Sequence, residues 1–229
     1  MSIFKFALKR SFQSKTNLLF LIVLPVLLIF LPSEPDSWIS LPYGFHYFGV
    51  VLLFVSVRLA VILLEDRQQG IIKRIAMAPV SNLSYLTQNV LAFSLILLLP
   101  ILLLISGGIF YGHELYHTGR LFLLYVCFAF AALSMSLAWV SIYRNKETSF
   151  LVFMVIVVLM TLVSGIMLPI EIMPDNIEKV AYSLPTYWYN KGLTAIVSQA
   201  SLPEFLLPLV ILLAFSLLFL LIGSKRKIV

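Results

Sequence analysis

The chain has 229 residues, of which 61% are hydrophobic and only 11% charged. Soluble domains carry roughly 45–50% apolar and about 25% charged residues, so this composition excludes that class and implies an integral membrane protein. One cysteine, Cys127, excludes an internal disulfide framework and a cysteine zinc cluster. No polar stretch reaches the roughly 50 residues that a soluble catalytic domain needs. The formal net charge of +6 raises nucleic-acid binding, and its distribution along the chain answers that question.

The first residues, 3–14, read as a basic amphipathic helix. At 100° per residue Ile3, Phe4, Ala7, Leu8 and Phe12 share one half of the wheel, and Lys5, Lys9 and Gln13 the other. Such a helix suits the headgroup layer of a membrane, although a plain charged anchor has the same pattern. A bilayer core about 30 Å thick needs roughly 20 apolar residues per helix. Spans are expected near 17–31, 44–64, 90–111, 121–143, 149–170 and 205–223. The first is short and contains Pro25. It is followed by Leu31-Pro32-Ser33-Glu34 in place of a small-residue cleavage site, so an uncleaved span is expected rather than a signal peptide. Period-two alternation is absent, which leaves an all-α bundle.

Between the second and third spans, residues 65–89 are longer than a simple connection requires. Gly70 breaks the charged end of the second span. Ile71, Ile72, Ile75 and Met77 then mark a short helix carrying Lys73 and Arg74, ended by Pro79. Such a helix, held on two long ones, is a lever that a cytoplasmic partner can grip. Arg58 lies about two turns inside the second span, where an ionisable group is a functional candidate. Two readings stay open for it: a bundle interior or wet cavity, and snorkelling toward Glu65 and Asp66.

The third connection contains His113-Glu114-Leu115-Tyr116-His117, which matches His-Glu-x-x-His. On a helix the two histidines share a face and Glu114 is placed as a base for a zinc-bound water. Gly112 and Gly119 bracket the motif and disfavour a helix there, so solvated loop polarity is preferred. Ser94, Ser106, Ser134, Ser136, Thr161 and Ser164 are read as helix-packing groups. The outer segment 171–203 has Pro174 before Ile177, Val180, Ala181 and Leu184 at helical spacing. Pro185 and the run Tyr187-Trp188-Tyr189 follow, then a second helix with Leu193, Ile196 and Val197. This pattern fits a helical hairpin dipping into the outer leaflet, with the aromatic run at interfacial depth.

Orientation follows from the basic residues. Lys5, Lys9, Arg10 and Lys15, then Arg67, Lys73 and Arg74, Arg144 and Lys146, and Lys225, Arg226 and Lys227 all fall on one side. Only Arg120, Lys179 and Lys191 fall on the other, together with most of the acids. Both termini are therefore expected in the cytoplasm, and the charge records topology in a cell membrane rather than nucleic-acid binding. No Gly-x-x-x-x-Gly-Lys-Ser/Thr loop and no Gly-x-Ser-x-Gly elbow occurs.

Taken together, these features resemble the membrane subunit of an ABC exporter of the type-2 permease family, of the multidrug or antimicrobial export type. Asp66-Arg67-Gln68-Gln69-Gly70 through Ala78-Pro79-Val80-Ser81 is similar to that family's Glu-Arg-Glu-x-Gly … Thr-Pro-hydrophobic-Ser run. Ser164-Gly165-Ile166-Met167-Leu168-Pro169 through Met173-Pro174, then Leu184-Pro185-Thr186, is similar to its outer segment. The chain departs at Gln68, where the family usually has a second Glu.

The resemblance implies a single permease domain over 1–229, with an amphipathic connecting helix at 2–15. It also implies a coupling helix near 70–80 and outer re-entrant helices at 171–201. Asp66, Arg67, Gln68, Gly70, Ile75 and Pro79 are the implied ATPase-coupling residues, and Pro169, Pro174, Pro185 and Trp188 frame the implied outer hairpin. The implied partners are an ABC ATPase dimer that uses ATP and Mg, and a second permease copy or related chain. No cofactor is expected on this chain itself. An apolar or amphipathic substrate is expected: a drug, an antimicrobial peptide or a lipid. A membrane immunity or sensor protein and a zinc metalloprotease are the alternatives.

Overall fold

The computed structural model describes residues 2–13, 15–32, 41–68, 82–113, 115–143 and 145–225. The helices are α1 (Ser2–Gln13), α2 (Lys15–Ile29), α3 (Tyr43–Gln68), α4 (Asn82–Tyr111), α5 (Thr118–Val140) and α6 (Lys146–Val163). A 3-10 turn at Ile170–Ile172 then leads to α7 (Asp175–Ala181), α8 (Pro185–Val197) and α9 (Leu202–Lys225). No strand occurs among the described residues. Lipid supplies no partners for free backbone groups, so uninterrupted helices are the expected answer to this composition.

Five helices, α3, α4, α5, α6 and α9, are long and apolar enough to cross a membrane. The sequence reading expects six. The difference is α2, whose apolar part, Asn17–Ile29, is shorter. At 1.5 Å per residue it reaches only about 20 Å, well below the bilayer core. Other boundaries move as well. The third long helix begins at Asn82, so residues 82–89 of the expected connection belong to it. The helix expected to run to residue 170 stops at Val163. Ser164 caps it, Gly165 turns at φ 83°, and the Met167 amide donates across the turn to the Thr161 carbonyl at 3.2 Å.

Helices α3 and α5 form the centre: 78% of the spanning window of each is buried, against 28% for α6 and α9. α5 packs on α9, α3, α4 and α8, while α2 and α6 also flank α3. Small residues allow the α5–α9 seam to close. Ser134 and Ser216 share a hydroxyl hydrogen bond at 2.8 Å, and Gly223 lies against Ala138. Where α2 meets α3 the backbones themselves touch, because a Cβ on Gly44 would collide with the Leu28 carbonyl.

The amphipathic face of α1 packs on protein. Ala7 and Ser11 are buried, Phe4 and Leu8 lean on the core, and Lys5 and Lys9 point outward. In the outer segment the aromatic run lies inside α8 rather than between helices. Pro185 opens that helix at its first position, and Tyr187 and Tyr189 are buried against protein.

Gly44→Ala is expected to lower the midpoint of thermal unfolding in mild detergent, by a cost of about 1–3 kcal/mol typical of overpacking. Gly119→Ala, where a Cβ meets nothing within 4 Å, is expected to leave the midpoint unchanged or raise it slightly.

Candidate functional site

At one end of the bundle the helices bring three distant charges together. Glu65, in the last turns of α3, lies 3.6 Å from Arg10 of α1 and 3.4 Å from Lys146 at the start of α6. Lys146 is held there by its neighbour. Asn145 caps α6, accepting from the amides of Glu147 and Thr148 at 2.9 and 3.4 Å. Trp139 closes the same connection by donating its indole N–H to the Ser149 carbonyl at 3.1 Å. Burial pushes the Arg10 guanidinium below its ordinary pKa, and the Glu65 carboxylate opposes that shift. This is the end of the bundle where the basic residues gather.

The same carboxylate bears on Arg58. Sequence offers Glu65 as an ion partner for Arg58, but Glu65 is engaged by Arg10 and Lys146. Among the described side chains, no ion pair joins Arg58 to a carboxylate. Its surroundings are set by the burial of α3. Between residues 43 and 65, only Tyr43, Tyr47, Val51, Phe54, Arg58 and Glu65 are even partly exposed. At 100° per residue these six fall within about 80° of arc, so α3 presents one narrow open stripe along its length. Aromatic and aliphatic groups fill its upper part, and Arg58 lies about 10 Å from Glu65 along the axis.

At the other end a phenol ties three helices. The Tyr189 hydroxyl of α8 donates toward the Phe45 and His46 carbonyls, at 3.3 and 3.2 Å, and accepts from the Gly49 amide at 3.1 Å. It thus sits across a carbonyl and an amide one helical turn apart in α3. Tyr125 of α5 donates to the same Phe45 carbonyl at 2.8 Å. Phe128 packs on the Tyr189 ring at 4.5 Å and Phe48 on Tyr125 at 4.9 Å. The end of α6 is fastened nearby. Asn190 donates to the Ser164 and Gly165 carbonyls, Thr186 to Met160, and His46 to Ile166 at 2.9 Å.

Of the outer-hairpin residues, Pro169 precedes the 3-10 turn, Pro174 precedes α7, and Pro185 opens α8. Trp188 donates to the Tyr182 carbonyl at 2.9 Å. Tyr187 stacks edge-on with Tyr182, and burial followed by the hydrogen bond with Tyr182 pushes its phenol up to about 12. It therefore stays neutral at ordinary pH.

The histidine motif is not helical. His113 follows the end of α4 and donates Nε2–H to the Ile29 carbonyl at 2.7 Å, whereas His117 caps α5 in the left-handed region at φ 42°. Glu114 lies outside the described residues. Among the described residues, no group of three or more His, Cys, Asp or Glu side chains is placed to hold a metal ion. Of the implied coupling residues, Asp66, Arg67 and Gln68 form the last turn of α3. Gly70, Ile75 and Pro79, with the whole of 69–81, lie outside the described residues.

A family model described as ABC-2 family transporter protein matches residues 23–225, from α2 through α9. The chain belongs to this family and is a multi-pass membrane permease of an ABC transporter. YvfS of Bacillus subtilis (strain 168), which bears the name of a presumptive transport permease, is 26% identical over 190 residues. That match covers 80% of this chain and 74% of its relative. Family membership implies an ABC ATPase partner.

Substitution at the two ends is expected to differ in cost. Tyr189→Phe leaves the Gly49 amide and two carbonyls without the hydroxyl, a loss of about 1–2 kcal/mol read as a lower unfolding midpoint. Glu65 is partly exposed, and Glu65→Gln should cost no more than about 1 kcal/mol in the same assay.

Proposed function

We propose that the chain is one half of an ATP-driven exporter, with α2 to α6 and α9 as six spans and both termini in the cytoplasm. The short α2 spans together with its flanks or with local thinning of the bilayer, which costs only fractions of a kcal/mol per Å of mismatch, on the order of a few kcal/mol in all. The basic end carrying Arg10, Glu65 and Lys146 faces the cytoplasm of the cell membrane. There the segment 65–81 docks on the ATPase through Asp66, Arg67, Gln68, Gly70, Ile75 and Pro79. A second permease chain completes the pathway, and α7 with α8 forms a hairpin that enters the outer leaflet. The substrate moved outward is apolar or amphipathic, in keeping with the aromatic and aliphatic groups on the open stripe of α3. This chain binds no nucleotide; ATP and Mg belong to the partner. The single observation that carries the reading is the family match, which runs through every long helix of the bundle.

The reading is tested by purifying the tagged chain from its native host in mild detergent. A stoichiometric ABC ATPase, with one or two kinds of permease chain, is the expected result; recovery of this chain alone in several detergents overturns it. Sidedness is tested separately. A cysteine at Ser81 should react with a membrane-impermeant thiol reagent only from the cytoplasm, and one at Asn176 only from outside. Gly70→Pro or Pro79→Ala should abolish substrate-stimulated ATP hydrolysis in the assembled complex while membrane insertion persists.

A further inference from the structure

The open stripe of α3 poses an electrostatic question that neither the helix nor its neighbours answer. Arg58 is only half-buried, yet it lies within a span. A guanidinium at such depth is costly unless it meets a counter-charge or water. The nearest described carboxylate on its own helix, Glu65, already serves Arg10 and Lys146. Glu65 is thus already shared between two cations. If two copies pair with their α3 stripes facing, the two Arg58 side chains stand at the same depth and repel each other. Among the described side chains, then, none supplies the counter-charge that Arg58 calls for.

The rest of the stripe defines what accompanies that charge. Above Arg58 the partly exposed positions are Phe54, Val51, Tyr47 and Tyr43, an apolar and aromatic track of about 16 Å at helical rise. We infer that this stripe takes an amphipathic anion as cargo, its apolar body along Tyr43, Tyr47, Val51 and Phe54 and its anionic group on Arg58. Charge-assisted bonds from a guanidinium to a carboxylate, sulfate or phosphate are among the stronger polar contacts. A cationic amphiphile meets Arg58 as a like charge and is rejected. The inference rests on the permease reading and narrows its substrate class to one sign of charge.

The test is binding without nucleotide. The complex is purified through the full-length chain, reconstituted in phosphatidylcholine nanodiscs, and titrated with dansyl-labelled undecanoate and dansyl-labelled undecylamine at fixed ionic strength. The wild type should bind the carboxylate about tenfold or more tightly than the amine, the size expected for one hydrogen bond to a charged group. Arg58→Gln should weaken the carboxylate by about that factor and leave the amine unweakened or bound more tightly, and Arg58→Lys should retain most of the preference. Lys179→Gln, on the outer helix α7, should change neither.

Equal affinity for both probes in the wild type overturns the inference, whether or not any variant folds. So does a parallel loss of both probes in Arg58→Gln, which would make Arg58 a packing group. Displacement of the carboxylate when phosphatidylglycerol is added to the nanodiscs would also overturn it, assigning Arg58 to a lipid headgroup. None of these results bears on whether an ATPase copurifies. Absence of an ATPase likewise leaves the sign preference of the stripe as measured.

Discussion

The hydroxyl of Tyr189 fixes the arrangement on which the remainder of the bundle depends. A polar atom fully buried among apolar helices is costly unless its hydrogen bonds are made. Here it lies across the Phe45 carbonyl and the Gly49 amide of α3, with the Tyr125 phenol on the same carbonyl. α8 is thereby seated against α3 and α5, and the end of α6 follows through Asn190, Thr186 and His46. With α5, α8, α6 and α2 all pressed on α3, only one strip of that helix stays open. The strip that carries Arg58 is thus what remains once α8 and the end of α6 are fastened.

The two ends are held by different physics. At the end tied by Tyr189 the ties are neutral and mostly buried, and they set position. At the basic end the ties are ionic, partly exposed and near 3.5 Å, and such pairs contribute little to stability. Cheap contacts suit elements that must shift relative to one another. Helix α3 ends at Gln68, within one turn of Glu65, so the weakly held end is also the one to which the proposed function assigns ATPase docking.

The long helices were legible in the sequence because their signal is local: an unbroken apolar run of sufficient length. The basic face of α1 and the separation of charge between the ends are equally local. What escaped depends on pairing across distance. Glu65 has basic residues on three separate segments to choose from, and only the packing of α1 and α6 beside α3 selects Arg10 and Lys146. The run Tyr187-Trp188-Tyr189 has the composition of an interfacial belt. Its burial follows from Pro185, which starts a helix instead of ending one and so turns two of the rings inward. The premature stop at Val163 was masked by the apolar residues that follow it, since hydropathy does not register a backbone reversal. The site itself was half legible. Arg58 stands out by chemistry alone, but the stripe that gives it company appears only once the burial of α3 is known.

The seam between α5 and α9 has a consequence for the order of synthesis. α5 is, with α3, the most enclosed helix, yet one of its principal neighbours, α9, leaves the ribosome after all the other described helices. Until residues 202–225 are inserted, the Ser134 face of α5 must wait in lipid or against the insertion machinery, its hydroxyl without Ser216 as partner. Serine tolerates that wait because its hydroxyl can turn back to a carbonyl of its own helix, whereas a charged or amide side chain at the same position would not. The small hydroxyls of this seam therefore satisfy two environments in succession: the unfinished chain in the bilayer, and the closed bundle.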